Sequence, residues 1–279
     1  GFDRISLGYN NIQSATIRNI TTNANSEALA YQMARVNYKF NDKYLLTATL
    51  RRDGFSGFAQ NYKYANFPSV GLGWIMSDEG FMKNVNFVSY LKLRATYGSI
   101  GNQTPRYTSL AQVASNSSYV FGDGGATAFG QQVNSLSNPD LKWEKTQGMN
   151  FGLDFTLVKG RLTGSMEYYT NNTKDLIFAV TIPTITGFGQ IQSNVGKIHN
   201  TGFEAGLTYN IINKSDFKWS ATYNLWTNKN KIATLTGIDA NGDGIEDDLV
   251  SSGLFIGKSI GTIFDYQYGP IYQLTDTRL

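Results

Sequence analysis

The sequence has no cysteine and a single histidine, His199. Without cysteine there is no disulfide framework and no thiolate metal site. One histidine excludes a multi-histidine zinc centre and the two-histidine iron triad. Any nucleophile–histidine–carboxylate triad would have to rest on His199 alone. Charge is scarce as well. Charged residues are 16% of the chain and the net charge is +3, and no local run of basic residues gives a footprint for nucleic acid. No stretch of about 18 apolar residues occurs, so no transmembrane helix is expected. The chain opens on Gly1 without the basic and apolar regions of a signal peptide. That leaves a removed leader or an internal stretch of a longer protein.

Glycine and aromatic residues are what the chain has in quantity. There are 29 glycines, 14% of residues are aromatic and 41% hydrophobic. This is enough apolar material to exclude disorder. Aromatic residues favour pleated surfaces, and Gly and Asn favour turns. A mean hydropathy of -0.29 has the look of a soluble average. A membrane β-barrel gives the same average, because lipid-facing and lumen-facing residues alternate along each strand.

That alternation is the dominant pattern. Ala34, Val36, Tyr38 and Phe40 interleave with Arg35, Asn37 and Lys39. Leu91, Leu93, Ala95 and Tyr97 interleave with Lys92, Arg94 and Thr96. Met149 to Leu157, Phe203 to Ile211 and Phe217 to Leu225 repeat the pattern. Successive strand residues point to opposite faces, so each run has one apolar and one polar face. Several runs reach the nine to eleven residues, roughly, that a tilted membrane strand needs, well beyond the five or six, roughly, of soluble strands.

The links sharpen the pattern. Asn41-Asp42, Lys159-Gly160 and the residues from Asn213 to Asp216 read as tight turns. Longer links run from about Gly54 to Ala65, Gly101 to Lys142, Asp175 to Ile191 and Asn228 to Lys258, with a medium one from Ser77 to Ser89. In an antiparallel meander this places the long loops at one end and the tight turns at the other, as in outer-membrane barrels. Tyr38, Phe40 and Tyr44 by one turn, Trp219 by another, and Tyr168 and Tyr169 toward a loop read as aromatic girdles. Plain β-propensity and packing would produce the same residues. The expected fold is all-β: roughly nine or ten strands of an antiparallel transmembrane barrel. The odd count, the missing signal segment and the abrupt Thr277-Arg278-Leu279 end all point the same way, and an open sheet edge in lipid is forbiddingly costly. An incomplete barrel is therefore expected.

The residues also resemble a known family. Arg35-Val36-Asn37-Tyr38 and Asp42 to Gly54 are similar to SusC/RagA-type TonB-dependent outer-membrane transporters. So are Phe67-Pro68-Ser69-Val70, Gly73-Trp74, Glu79-Gly80-Phe81-Met82 and Leu91 to Gly98 with Gly101-Asn102-Gln103. Asn138 to Glu144, Asn194-Val195-Gly196, Asn200 to Glu204, Asn228 to Lys231 and Gly257 to Gly261 continue the series in the family's order. The resemblance implies a 22-stranded barrel closed by an N-terminal plug. Residues 1–279 would be a middle-to-late part of the barrel domain, with the plug and last strand lying outside them. It implies residence in the outer membrane of Bacteroidota-type bacteria and contact with outer-membrane lipid. It implies import of glycans, oligosaccharides or peptides, driven by TonB through the plug. A SusD-like surface lipoprotein would close over the mouth, and no catalysis or required cofactor is implied.

Two groups of residues are candidate sites. Tyr107, Tyr119, Phe121, Phe129 and Phe188 lie in the long links, where sugar stacking or peptide contact is expected of outward loops. Packing of the loops on one another or on the lid is the competing reading. Asp239, Asn241 and Asp243, with Gly244, Ile245 and Asp247, have the oxygen spacing of a calcium loop. Val250 stands where that loop type has its bidentate Glu, and a solvated Asn/Gly turn is the alternative. Asp154, Glu167 and Glu204 read as polar pore lining, since no local pattern pairs them as glycosidase carboxylates. A secreted β-rich adhesin or carbohydrate-binding module explains the aromatics and the calcium-like loop, but not the strand lengths. A β-propeller would need an internal repeat of about 40–50 residues, which is not seen.

Overall fold

A computed structural model describes residues 24–120 and 127–265. Phe121 lies outside them. Eight long strands form one antiparallel sheet in the order β1-β2-β3-β4-β7-β8-β11-β12. They are β1 (Leu29–Phe40), β2 (Tyr44–Phe55), β3 (Tyr64–Ile75), β4 (Val88–Asn102), β7 (Glu144–Leu157), β8 (Leu162–Lys174), β11 (Lys197–Asn213) and β12 (Lys218–Thr234). The missing numbers are two small hairpins outside the main sheet. β5 (Gln112–Val120) pairs with β6 (Thr127–Ser135), and β9 (Ile177–Thr181) with β10 (Gln190–Asn194). Both hairpins fall in links expected to be irregular. The strands of the main sheet run from 12 to 17 residues, longer than a hydrocarbon layer requires.

Register joins the alternation of each strand into two continuous faces. Tyr44 lies opposite Trp74, Trp74 opposite Leu93, Leu93 opposite Leu153, Leu153 opposite Met166, Met166 opposite Ala205, and Ala205 opposite Leu225. Val36, Tyr38, Leu72, Phe151, Tyr168 and Tyr223 stand on that same apolar face and are exposed. The opposite face carries Thr47, Arg94, Asn150, Glu167 and Asn200. Tyr168 and Tyr169 are not at a strand end. They sit mid-strand, opposite Phe151 and Asn150 on one side and Phe203 and Gly202 on the other.

The links sort by end. At one end lie 41–43, 76–87, 158–161 and 214–217; at the other lie 56–63, 103–143, 175–196 and the residues after Thr234. The turn at 41–43 places Asn41 and Asp42 at φ 49° and 56°, a conformation these side chains tolerate. Beside the tight turns, aromatics gather: Phe40 and Tyr44 with rings 6.3 Å apart, and Trp74 and Phe81 at 6.4 Å. Glu79, in the link 76–87, ties that end together. It accepts hydrogen bonds from Tyr44 Oη at 2.8 Å, Trp74 Nε1 at 3.1 Å and Lys43 Nζ at 3.0 Å. In order of weight, the bonds from Tyr44, Trp74 and Lys43 hold its carboxyl down to about 2.

The core of buried residues is at the long-loop end. Phe55, Phe58, Phe67, Leu141 and Trp143 are buried together, with Ala65 and Ile177 against them. Ring centroids lie 4.9 Å apart for Phe58 and Trp143, and 5.7 Å for Phe67 and Trp143. The stretch Asn138–Glu144 thus roots the long link 103–143 on the wall.

Candidate functional site

The polar face is organised around Arg94. It lies in a cross-strand row in which Gly73, Arg94, Gly152, Glu167 and Glu204 stand successively opposite one another. With no side chain on Gly152, the guanidinium lies flat across β7. A Cβ there would meet Arg94 Cζ at 2.8 Å. Arg94 reaches Asp154 Oδ2 with Nε at 2.8 Å, and Asp154 Oδ1 and Glu167 Oε1 with Nη2 at 2.9 and 2.8 Å. Asn150 Nδ2 donates to the other Glu167 oxygen at 2.9 Å. Asp154, Glu167 and Glu204 share the polar face, as the alternation predicts. The sequence does not reveal Arg94 as the clasp, because its partners Asp154 and Glu167 lie 60 and 73 positions away and only register brings them together. The face forms a groove of about 820 Å³ lined by residues such as Lys92, Tyr169, Asn171 and Asn200.

Above this wall the long loops are fastened to each other. Asn194 Oδ1 accepts from Lys142 N at 2.8 Å, and its Nδ2 donates to the carbonyls of Lys142 and Asp175, each at 2.8 Å. Asn138 Nδ2 donates to Gln192 O at 2.7 Å, and Ser109 Oγ to Gly57 O at 2.8 Å. Between the bases of the two hairpins this leaves a cleft of about 470 Å³. Gln112, Gln132, Asn134, Phe188, Gln190 and Gln192 are among its lining residues.

The candidate aromatics separate here. Phe188 lines the cleft and is half-buried. Tyr107 does not line it. Its hydroxyl donates to Ser26 O at 2.8 Å and accepts from Ser26 N, so it fastens the segment before β1. Tyr119 is on β5 opposite Ala128 and is exposed. Phe129 is on β6 opposite Ser118; its side chain lies outside the described part, as does all of Phe121.

In the 239–247 loop the oxygens are turned on the loop's own amides. Asp239 accepts from the N–H groups of Gly242, Asp243 and Gly244 at 2.7, 3.2 and 2.8 Å. Asn241 Oδ1 accepts from Asp243 N, Asp243 Oδ1 from Ile245 N, and Asp247 Oδ2 from Ala240 N. Glu246, not among the expected ligands, accepts from Leu235 N and Gly237 N, both at 2.6 Å. Among the described residues no group of three or more Asp, Glu or His side chains converges as a metal site would require. His199 Nδ1 is 2.7 Å from Asn172 Oδ1. Gly257-Lys258-Ser259-Ile260-Gly261 has the G-x-S-x-G spacing of a nucleophile elbow, but Ser259 Oγ donates to the Asn230 carbonyl at 3.0 Å and Gly257 and Lys258 pair with Ile232 along β12.

Long antiparallel strands, an apolar face against a polar one, and loops gathered at one end define the wall of a transmembrane β-barrel of the outer membrane. The profile of the family described as TonB dependent receptor-like, beta-barrel matches residues 2–272, and the chain belongs to that family. It is 38% identical to TonB-dependent receptor P26 of Formosa agariphila over 93% of this chain and 26% of that protein. It is 37% identical to TonB-dependent receptor SusC of Bacteroides thetaiotaomicron over 81% of this chain and 23% of that one. The solved RagAB peptide transporter superposes with a TM-score of 0.71 at 29% identity, over 83% of this chain and 25% of the RagAB chain. The chain spans about a quarter of the length of these relatives.

Proposed function

We propose that this chain supplies wall and mouth to a TonB-dependent transporter that imports oligosaccharides or peptides, with a SusD-like lipoprotein closing over the long-loop end. The cleft between the hairpins carries the reading. It offers several primary amides, each both donor and acceptor, beside one aromatic ring. Sugars and peptide backbones both present alternating donors and acceptors, and Phe188 suits a sugar face or an apolar side chain. The RagAB likeness supports the peptide part of this range, those relatives being described as a peptide importer. Energy would reach the barrel through a plug and TonB. No chemical step belongs to the reading; Asp154 and Glu167 are both engaged by Arg94 and so are not a free carboxylate pair of the kind glycosidase work needs.

The test uses cells making the full-length transporter and two labelled panels, oligosaccharides and short peptides. Phe188→Ala is expected to lower uptake of whichever panel the wild type takes by about tenfold, the equivalent of about 1.4 kcal/mol. Undiminished uptake in that variant and in Gln132→Ala would remove the cleft from the pathway. Calcium ordering of the 239–247 loop is a separate proposal. Titration calorimetry of the full-length protein is expected to give saturable heat that Asp239→Asn with Asp243→Asn abolishes; no heat at millimolar calcium refutes it.

A further inference from the structure

The apolar face of the sheet ends, toward the long loops, in a row of lysines. Register sets Lys145 opposite Lys174, and Lys174 opposite Lys197. One row nearer the apolar band, His199 stands opposite Lys231; the next has Thr201 opposite Lys229. All share the face of Met149, Phe151, Tyr168, Phe203 and Leu225. The linear sequence hides this group, because its members are spread over 87 positions from Lys145 to Lys231 on four strands.

Like charges directly opposite one another destabilise a sheet, so such a row needs a counter-charge. The protein does not supply one among the described residues. Every carboxylate on the eight strands (Asp53, Glu144, Asp154, Glu167 and Glu204) stands on the polar face. None of these five lysines is in an ion pair among the described residues. Asp175, next to Lys174, is taken by Lys142 at 3.2 Å. Lys174, Lys197, Lys229 and Lys231 are exposed, and Lys145 is half-buried. In the next row of the same face, Gln147, Asn172 and His199 stand opposite one another, with Asn172 engaged by the His199 ring.

The height of the row fits a lipid headgroup layer. Lys145 is four residues beyond Met149 and Lys229 four beyond Leu225, about 13 Å along a strand and roughly 10 Å along the membrane normal for a strand tilted about 40°. Lysine stems lean back along apolar surface while the ammonium stays wet. The ammonium groups therefore meet the zone just outside the hydrocarbon.

We propose that this face is a binding surface for phosphorylated lipid of the outer leaflet, its phosphates lying between Lys145, Lys174 and Lys197. The inference rests on the membrane-spanning wall and not on the transport reading.

The experiment places the purified full-length transporter in nanodiscs of phosphatidylcholine alone, or with one-fifth phosphatidic acid, and adds inorganic phosphate to the first as a third arm. Phosphatidic acid is expected to raise the thermal midpoint of the wild type by about 3 °C or more. Free phosphate is expected to leave it unchanged. The triple variant Lys145→Gln, Lys174→Gln, Lys197→Gln should lose most of the rise, and in neutral lipid should melt above the wild type because the repulsion is gone. The triple Lys→Arg variant should keep the rise, as should Lys92→Gln on the opposite face. Lys174→Gln alone, at an exposed position, gives the same reading in reduced measure if the triple variant does not fold. Equal rises in wild type and Gln variants, or an equal response to free phosphate, would overturn the proposal. Loss of the rise in the Arg variant would overturn it too.

Discussion

At the scale of single residues, two positions carry consequences that packing alone does not reveal. Gly152 is bare so that Arg94 can cross it. Gly152→Val is expected to push the guanidinium off Asp154 and Glu167 and to cost about 1–3 kcal/mol by overpacking, read as a lower unfolding midpoint of the full-length protein. Arg94→Met should cost less, about 1 kcal/mol, because the pairs are partly open to water. Equal losses in the two variants would contradict the crossing. Glu79 makes a pH-dependent contribution. Its carboxyl sits at about 2 in the folded protein against an ordinary 4.5. A depressed carboxyl stabilises the fold fully above the ordinary value, and that contribution disappears as pH falls from 4.5 toward 2. The midpoint of the wild type should therefore fall more steeply than that of Glu79→Gln over that window, and the two should run parallel above pH 6. Parallel curves throughout would show that the bonds from Tyr44, Trp74 and Lys43 do not persist in the membrane.

At the scale of elements, the long strands were legible and the hairpins were not, for a physical reason. β1, β2, β4, β7, β11 and β12 each bury or expose a whole face in lipid, and that imposes strict period-two alternation. β5 reads Gln-Val-Ala-Ser-Asn-Ser-Ser-Tyr-Val and β9 and β10 are five residues each; they stand off the wall in water, where nothing imposes alternation. The cleft was hidden for the same reason, since its amides come from two hairpins far apart in sequence. Of the aromatics, Phe188 is the one that lines the cleft, whereas the Tyr107 hydroxyl bonds the backbone of Ser26, a partner that leaves no side-chain signal in the sequence. The element that holds the cleft open is the clasp between Asn194 and the carbonyls of Lys142 and Asp175. Asn194→Ala removes three hydrogen bonds, so a loss of about 2–3 kcal/mol of local stability is expected. Hydrogen exchange should speed up in 138–143 and 175–195 while β7 and β8 stay protected. Uniform acceleration would mean the loops and wall unfold as one unit.

At the scale of the whole molecule, the decisive fact is the pair of outer strands. β1 and β12 stand at opposite margins of the eight-stranded sheet, and among the described residues β12 is met on its far side near Asn230 and Ile232 by residues 257–260. In hydrocarbon each unpaired backbone N–H or C=O costs several kcal/mol, so a wall with two such margins is stable in a bilayer only where further strands pair with them. The exposed apolar rows of Val36, Tyr38 and Leu72 on one side and Tyr223 and Leu225 on the other give no relief, because lipid tails satisfy side chains and not backbones. Residues 1–279 refolded alone in detergent micelles should therefore associate through the β1 and β12 edges and show no shift in gel mobility between unheated and boiled samples. The full-length protein should show that shift. A compact, heat-modifiable monomer of residues 1–279 would mean that these strands close a small barrel of their own, and the wide plugged barrel would then have to be given up.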